Sequence, residues 1–331
     1  MNIINRILAI FLDNLRFIII LVLLTLLFTY NLDYYVYSPG DLEDLSDRIV
    51  IDNSYKSKGS FNLTYVTARD GNIPNILLSY IMPSWDLIKL DERRVSNESR
   101  DEITNRDKIY LKETSYDAII AAFSEAGLEY SVKSIDVVIT YVLDEADTNL
   151  KTGDIIKSIN GIKINNFDDL ANEKLKYKTG DKLKVVVNRD NKEVECYTNL
   201  YEKDDTVMIG VMLAELKDVE TNPKVEYVFK DNESGASRGL MCALDIYNKI
   251  TEFDLTKGRK IAGTGSIDEN GKVGSISGIK YKLIGAVKSK ADIFIVPEEN
   301  YDEALKLKNE KNYKIELIKA DTLHNVIEYL K

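Results

Sequence analysis

Sixteen consecutive residues, Phe17 to Leu32, carry no charge, and they stand between Arg16 and Asp33. A run this apolar either crosses a bilayer, is removed as a signal peptide, or is buried in a core. A spanning helix uses about 20 apolar residues, so this one is short. Arg16 can snorkel, the stretch from Ile7 to Leu12 is also apolar, and Tyr30, Tyr34, Tyr35 and Tyr37 suit an interfacial belt. A cleaved signal peptide ends in small residues, whereas Thr29-Tyr30-Asn31-Leu32-Asp33-Tyr34-Tyr35 closes this run. The reading is an uncleaved transmembrane anchor over residues 15–32, in contact with membrane lipid. Arg6 and Arg16 precede it, while Asp33, Asp41, Glu43 and Asp44 come after it. The positive-inside rule therefore puts residues 1–14 in the cytoplasm and the C-terminal domains outside the cell.

Charge and rare residues narrow the chemistry. Lys and Arg number 44 against 54 Asp and Glu, a net charge of −10, and no basic patch marks a nucleic-acid partner. The single histidine, His324, excludes a multi-histidine metal site. Any Ser-His-Asp or Cys-His mechanism would have to use that residue, which sits in the helical text Leu323-His324-Asn325-Val326-Ile327 and reads as a surface or capping residue. Cys196 and Cys242 lie in no metal-like spacing and read as buried thiols. No cofactor and no metal is expected.

Residues 33–130 read as a β-rich segment followed by a helix. Ser38-Pro39-Gly40 signals a turn, residues 59–66 alternate as a strand, and Pro74 and Pro83 break the stretch beyond that strand. The charge-dense residues 91–114 suit a solvated helix or loop, and Ser115 to Gly127 has helical spacing with a glycine stop. Residues 132–199 then carry short strands, Gly-Asp and Asn-Gly turns and one helix near Phe167 to Leu175. The run Leu150-Lys151-Thr152-Gly153-Asp154-Ile155-Ile156-Lys157-Ser158-Ile159-Asn160-Gly161 resembles a bacterial PDZ domain. Such modules take an extended peptide onto a sheet edge. No glycine-rich carboxylate loop precedes Val137, where Lys133-Ser134-Ile135-Asp136 stands, so a purely structural module is the alternative.

Nine of the 17 glycines fall between positions 235 and 285, where tight turns and close backbone approach are concentrated. Gly235-Ala236-Ser237-Arg238-Gly239 opens an apolar helix, so the Ser237 hydroxyl lies near unsatisfied N–H groups and the positive end of a helix dipole. Ser237 is either a nucleophile or an ordinary N-cap. Residues 261–274 read as a hairpin with an Asn-Gly turn, and Ile293-Phe294-Ile295-Val296 as a strand. Between them, helical spacing sets Lys282 among Ile279, Gly285 and Ala286. Burial there lowers a lysine pKa from about 10.4, and a drop of about three units, roughly 4 kcal/mol, makes it a neutral general base.

Gly-x-Ser-x-Gly before an apolar helix, then Thr264-Gly265, Asn270-Gly271-Lys272-Val273-Gly274, Ser277-Gly278-Ile279-Lys280-Tyr281-Lys282-Leu283 and Val296-Pro297-Glu298-Glu299-Asn300, resembles the proteolytic domain of Lon-type serine peptidases, here over residues 203–331. With an anchor and a PDZ-like unit in front, the chain is similar to the membrane-anchored PDZ-containing Lon-type peptidases of Gram-positive bacteria. The resemblance implies an α+β architecture of transmembrane helix, PDZ-like domain and Lon-type proteolytic α/β domain, with residues 33–130 associated with the protease. It makes Ser237 the nucleophile and Lys282 the base of a Ser/Lys dyad, with Lys280 the competing base. Thr264 then bonds the lysine, and Gly235 and Gly239 support the turn. That family usually carries Gly-Pro-Ser-Ala-Gly, so Ala236 loosens the turn, and Arg238 sets a cation beside the nucleophile; the expectation is altered activity or tuning to acidic substrates. The stretch from Gly265 to Lys272 lacks the spacing and terminal Ser/Thr of a phosphate loop, which points to a peptidase that works without ATP on extended peptides or protein segments. A non-catalytic PDZ scaffold or chaperone on a degenerate Lon-like domain is the alternative.

Overall fold

The computed structural model describes residue 3 and residues 11–95, 97–231 and 233–331. Much of the expected cytoplasmic segment 1–14, and most of the apolar stretch from Ile7 to Leu12, lies outside the described residues. The first elements are α1 (Leu15–Thr29), β1 (Leu32–Asp44), β2 (Ile49–Ile51), β3 (Ser60–Gly71), α2 (Ile73–Ile81) and β4 (Asp86–Lys89). Two compact units result: residues 1–40 with 66–93, and residues 41–65 with 94–331.

In the first unit, α1 buries none of its residues. The hydroxyls of Thr25 and Thr29 donate to the carbonyls of Leu21 and Thr25, both at 2.8 Å, so its two threonine hydroxyls are satisfied within the helix. Its 15 residues reach about 22 Å at about 1.5 Å each, short of a hydrocarbon core of about 30 Å. Among the described residues no helix is long and apolar enough to cross a membrane. Strand β1 pairs antiparallel with β4, from Tyr34 opposite Lys89 to Tyr37 opposite Asp86. The turn expected at Ser38-Pro39-Gly40 does not form, because these residues continue β1. Pro39 lies beyond the last pair with β4, so its missing N–H costs that ladder nothing. Pro74 likewise does not break structure: it occupies the first turn of α2, whose N-cap Asn72 accepts from the Asn75 amide.

The second unit contains two layered bodies and a long helix, α3 (Arg100–Glu125). A Ser99–Glu102 capping box starts it and Gly127, at φ 68°, lies just past its end. Of the charge-dense residues 91–114, those from Arg100 on form the first part of this 26-residue helix, one of the two expected forms, but it is not solvated all round: Ile103, Arg106, Ile109 and Leu111 are buried. Next come β5 (Tyr130–Val142), β6 (Ile155–Ile159), β7 (Ile162–Lys163), α4 (Phe167–Lys174), β8 (Lys182–Arg189), β9 (Lys192–Asn199), the small pair β10 (Tyr201–Lys203) and β11 (Thr206–Met208), and β12 (Val211–Thr221). The sheet runs β12-β5-β6-β8-β9 and therefore extends beyond residue 199. Val137, Ile139, Ile156, Leu183 and Val185 form its core with Leu170 of α4. Val138 and Ala214 pack on the other face, with Ile109 of α3.

The remaining elements are β13 (Val225–Tyr227), α5 (Gly239–Ile250), β14 (Lys260–Gly263), β15 (Ser266–Ile267), β16 (Val273–Gly274), α6 (Ile279–Lys288), β17 (Ile293–Pro297), α7 (Tyr301–Glu310), β18 (Glu316–Ala320) and α8 (Leu323–Leu330). Strands β18, β17, β14 and the start of β3 form a parallel ladder. Ile261, Ile293 and Ile295 join one core with α3, α5 and α8, while Ala262, Phe294 and Val296 join another with α6 and α7. A parallel sheet covered on both faces explains why β17 is apolar throughout. The expected hairpin is confined to β15 and β16, because residues 260–263 belong to the parallel ladder.

Candidate functional site

The site is built where the turn after β14 meets the turn before α5. Gly265 N–H donates to Ser237 O at 3.0 Å, and Leu240 N–H donates back to Gly265 O at 3.1 Å. Small residues allow that closeness. A Cβ on Gly263 would stand 2.5 Å from Met241 Sδ, and one on Gly239 only 2.2 Å from Thr114 Oγ1 of α3. Gly235 sits at φ 89°, a conformation that favours glycine, and its N–H donates to Asp107 O of α3 at 2.8 Å. Helix α5 takes Arg238 as its N-cap residue, with no side-chain cap bond. Ser237 therefore precedes the cap position rather than filling it, next to the N-terminal dipole of α5.

Lys282 lies on α6 and is only 4% exposed. Burial pushes its pKa down to about 7. Its Nζ donates to Thr264 Oγ1 at 3.0 Å, and Thr264 Oγ1 donates to Ser237 O at 3.1 Å. A neutral amine that gives one N–H to Oγ1 keeps its lone pair for an incoming proton. Thr264 is itself fully buried, and its N–H is held by Ile295 O of β17 at 3.0 Å. The structure thus brings Ser237, Thr264 and Lys282 together, with Gly235 and Gly239 in the supporting turn. Lys280 is half-buried and lies over the Tyr281 ring at 5.5 Å, in a setting unlike that of Lys282.

Arg238 does not present a free cation to substrate. Its Nη2 donates to Glu233 Oε2 at 2.8 Å, its guanidinium covers the Phe229 ring at 4.9 Å, and the side chain is 11% exposed. Glu233 neutralises the charge, which removes the basis for tuning toward acidic substrates. Glu233 also pairs with Arg48, which donates to Val228 O at 2.7 Å. Val228, Glu233 and Arg238 are thereby tied down on both sides of Gly235.

The single histidine is exposed on α8 and bonds Glu125 at 2.8 Å, a partner that raises its pKa. Both cysteines are buried and unbridged, and burial pushes Cys242 up to about 12. Among the described residues no acidic, histidine or cysteine cluster could hold a metal ion. The feature that reading the chain in sequence order misses is β12. It is the end strand of its sheet, and Glu215 on it accepts from the Phe167 amide at the start of α4 at 2.6 Å. The glycine turn beside this edge is not before Val137 but at Ile209-Gly210-Val211, with Gly210 at φ 84°.

A serine at a helix N-terminus whose carbonyl is linked through Thr264 to a buried amine, on a doubly covered parallel sheet, is an arrangement suited to acyl transfer. Comparison with known proteins finds two domain resemblances. Residues 229–330 match the family model of the Lon protease (S16) C-terminal proteolytic domain, and residues 115–200 match that of the PDZ domain. The chain is 41% identical over 70 residues to a Lon protease of Campylobacter jejuni, covering 21% of this chain and 9% of that protein. It is 30% identical over 124 residues to a peroxisomal Lon protease homolog 2 of Caenorhabditis briggsae, covering 36% and 15% respectively. A solved PDZ domain of an SdrC-like protein from Listeria monocytogenes is 26% identical, covering 23% of this chain and 85% of that one at a TM-score of 0.22. Residues 229–330 are thus similar to a Lon-type proteolytic domain and residues 115–200 to a PDZ domain. The chain spans only 9 to 15% of the length of these two curated relatives.

Proposed function

We propose that this chain is a membrane-anchored serine endopeptidase that cleaves extended peptides or protein segments outside the cell without ATP. The observation that carries the catalytic part is the chain Lys282 Nζ, Thr264 Oγ1, Ser237 O, with the amine desolvated to a pKa of about 7. In this reading Lys282 Nζ takes the Ser237 Oγ proton as Oγ attacks the scissile carbonyl carbon. The oxyanion forms near the N-terminus of α5. The lysine then passes its proton to the leaving amine, and water enters by the same route to release the acid and restore Ser237.

A segment already extended needs no unfolding motor. The glycine-rich stretch after Thr264 is the β15–β16 hairpin and does not open a helix. Substrate would add to the end strand β12 beside α4, where main-chain hydrogen bonds give affinity without demanding one sequence. Support for the anchor is the uncharged, wholly unburied surface of α1 between Arg16 and the tyrosines of β1. The bilayer would meet its shortness by thinning and by snorkelling of Arg16.

The test is hydrolysis of an unstructured fluorogenic peptide by the purified full chain in detergent, with and without ATP. Cleavage should be equal in both and absent from Ser237→Ala. Cleavage that survives Ser237→Ala removes the nucleophile assignment, and dependence on ATP removes the substrate model.

A further inference from the structure

From Gly71 to Trp85 fifteen residues in succession carry no charge, with Asp70 and Asp86 at either side. This second uncharged run contains α2, which buries none of its residues. Leu77 is 59% exposed, Tyr80 77% and Ile81 75%, and Ile73, Leu78 and Met82 are exposed beside them. A contiguous apolar surface of this kind on a nine-residue helix marks a site of contact with something apolar.

Its location says what that is. The Asn72 side chain, at the cap of α2, donates to Phe28 O near the end of α1 at 2.9 Å, so α2 begins where the anchor ends. At its other end the Arg69 guanidinium covers the Trp85 ring at 4.5 Å and donates to Ser38 Oγ at 2.7 Å. An apolar helix body bordered by a tryptophan, a tyrosine and an arginine has the makeup of an element at the headgroup boundary. We propose that α2, with Met82 and Trp85, is an interfacial helix that lies in the outer leaflet beside α1, its partner being the phospholipid bilayer. The proposal rests on α1 being the anchor, and it gives that short helix a second point of attachment, since stable membrane binding commonly needs two.

Trp85 is the only tryptophan and so a native reporter. The experiment is fluorescence of the full chain in phosphatidylcholine vesicles carrying brominated lipids, after an alkaline carbonate wash. A second reporter, Tyr80→Trp in a Trp85→Phe background, reads the exposed face itself. Both reporters should lose at least half their emission to bromines near the headgroup and less to bromines near the bilayer centre. Leu77→Asp with Ile81→Asp should abolish that loss for the Tyr80→Trp reporter while the chain stays in the vesicles. A chain that is retained but not quenched overturns the interfacial helix and leaves the anchor standing. Blue-shifted emission without quenching overturns it in favour of a second copy or a protein on that face. A chain released by the wash overturns both.

Discussion

Lys282 is the residue whose environment does most to set the chemistry. Its folded pKa of about 7 lies below the ordinary value, so the unfolded chain binds more protons between those two pH values and stability rises with pH across them. The penalty for burying the ammonium is fully present below pH 7. Lys282→Met should therefore abolish cleavage yet raise stability near pH 7 by up to about 4 kcal/mol, with the gap closing toward pH 10. Denaturant melts of the two proteins at several pH values check this; a gap that does not change with pH contradicts it. Gly239 makes the opposite point. With a Cβ 2.2 Å from Thr114 Oγ1, Gly239→Ala should destabilise by about 1–3 kcal/mol and slow cleavage through the Ser237 turn. Retention of wild-type melting and rate would show that α3 can give way. The glycine and serine spacing made these positions legible in the chain. The Arg238–Glu233 pair was not legible, because a salt bridge across a glycine turn depends on a fold that spacing does not encode.

At the scale of elements, α3 is the piece that links the parts of the second unit. Asp107 holds the Gly235 amide, Thr114 backs Gly239, and Glu113 accepts from the Glu215 amide of β12 at 3.2 Å. One turn further along α3, Asp117 bonds Lys217 of β12 at 2.9 Å, and Lys217 also bonds Glu269 of the β15–β16 hairpin at 2.8 Å. Burial, with Asp117 adding repulsion, pushes the Glu113 carboxyl up to about 7. A carboxyl with a raised folded pKa holds its proton longer in the fold, so stability falls as pH rises from about 4.5 to 7. Glu113→Gln keeps the acceptor and should stabilise the chain at pH 8 but hardly at pH 5, as thermal melts would show; equal effects at both would contradict it. This helix was half legible. Ser115 to Gly127 announced itself by spacing, but the charges before it pointed to solvent, and what buries them, the pairing of Arg106 with Glu98 and Asp107 and the packing of Ile109 against Val138 and Ala214, depends on the fold.

For the whole molecule, the order of PDZ-like module and proteolytic layer was legible because each has a local signature: a Gly-Asp turn series and a glycine cluster. What was hidden is where those pieces join. The module's end strand, β12, comes after its last expected strand in the chain and pairs back onto β5, Val211 opposite Val142 through Thr221 opposite Tyr130. Pairing between segments far apart in sequence leaves no periodic trace in either one. That the chain hydrolyses peptide bonds by a Ser/Lys pair is tested most directly by acylation of the full chain with a serine-directed fluorophosphonate between pH 5 and 9, with the adduct mapped by mass spectrometry. The adduct should lie on Ser237, its rate should climb through about pH 7 with the ionisation of Lys282, and Lys282→Ala should lose it. No adduct on Ser237, or an equal rate in Lys282→Ala, would contradict the account.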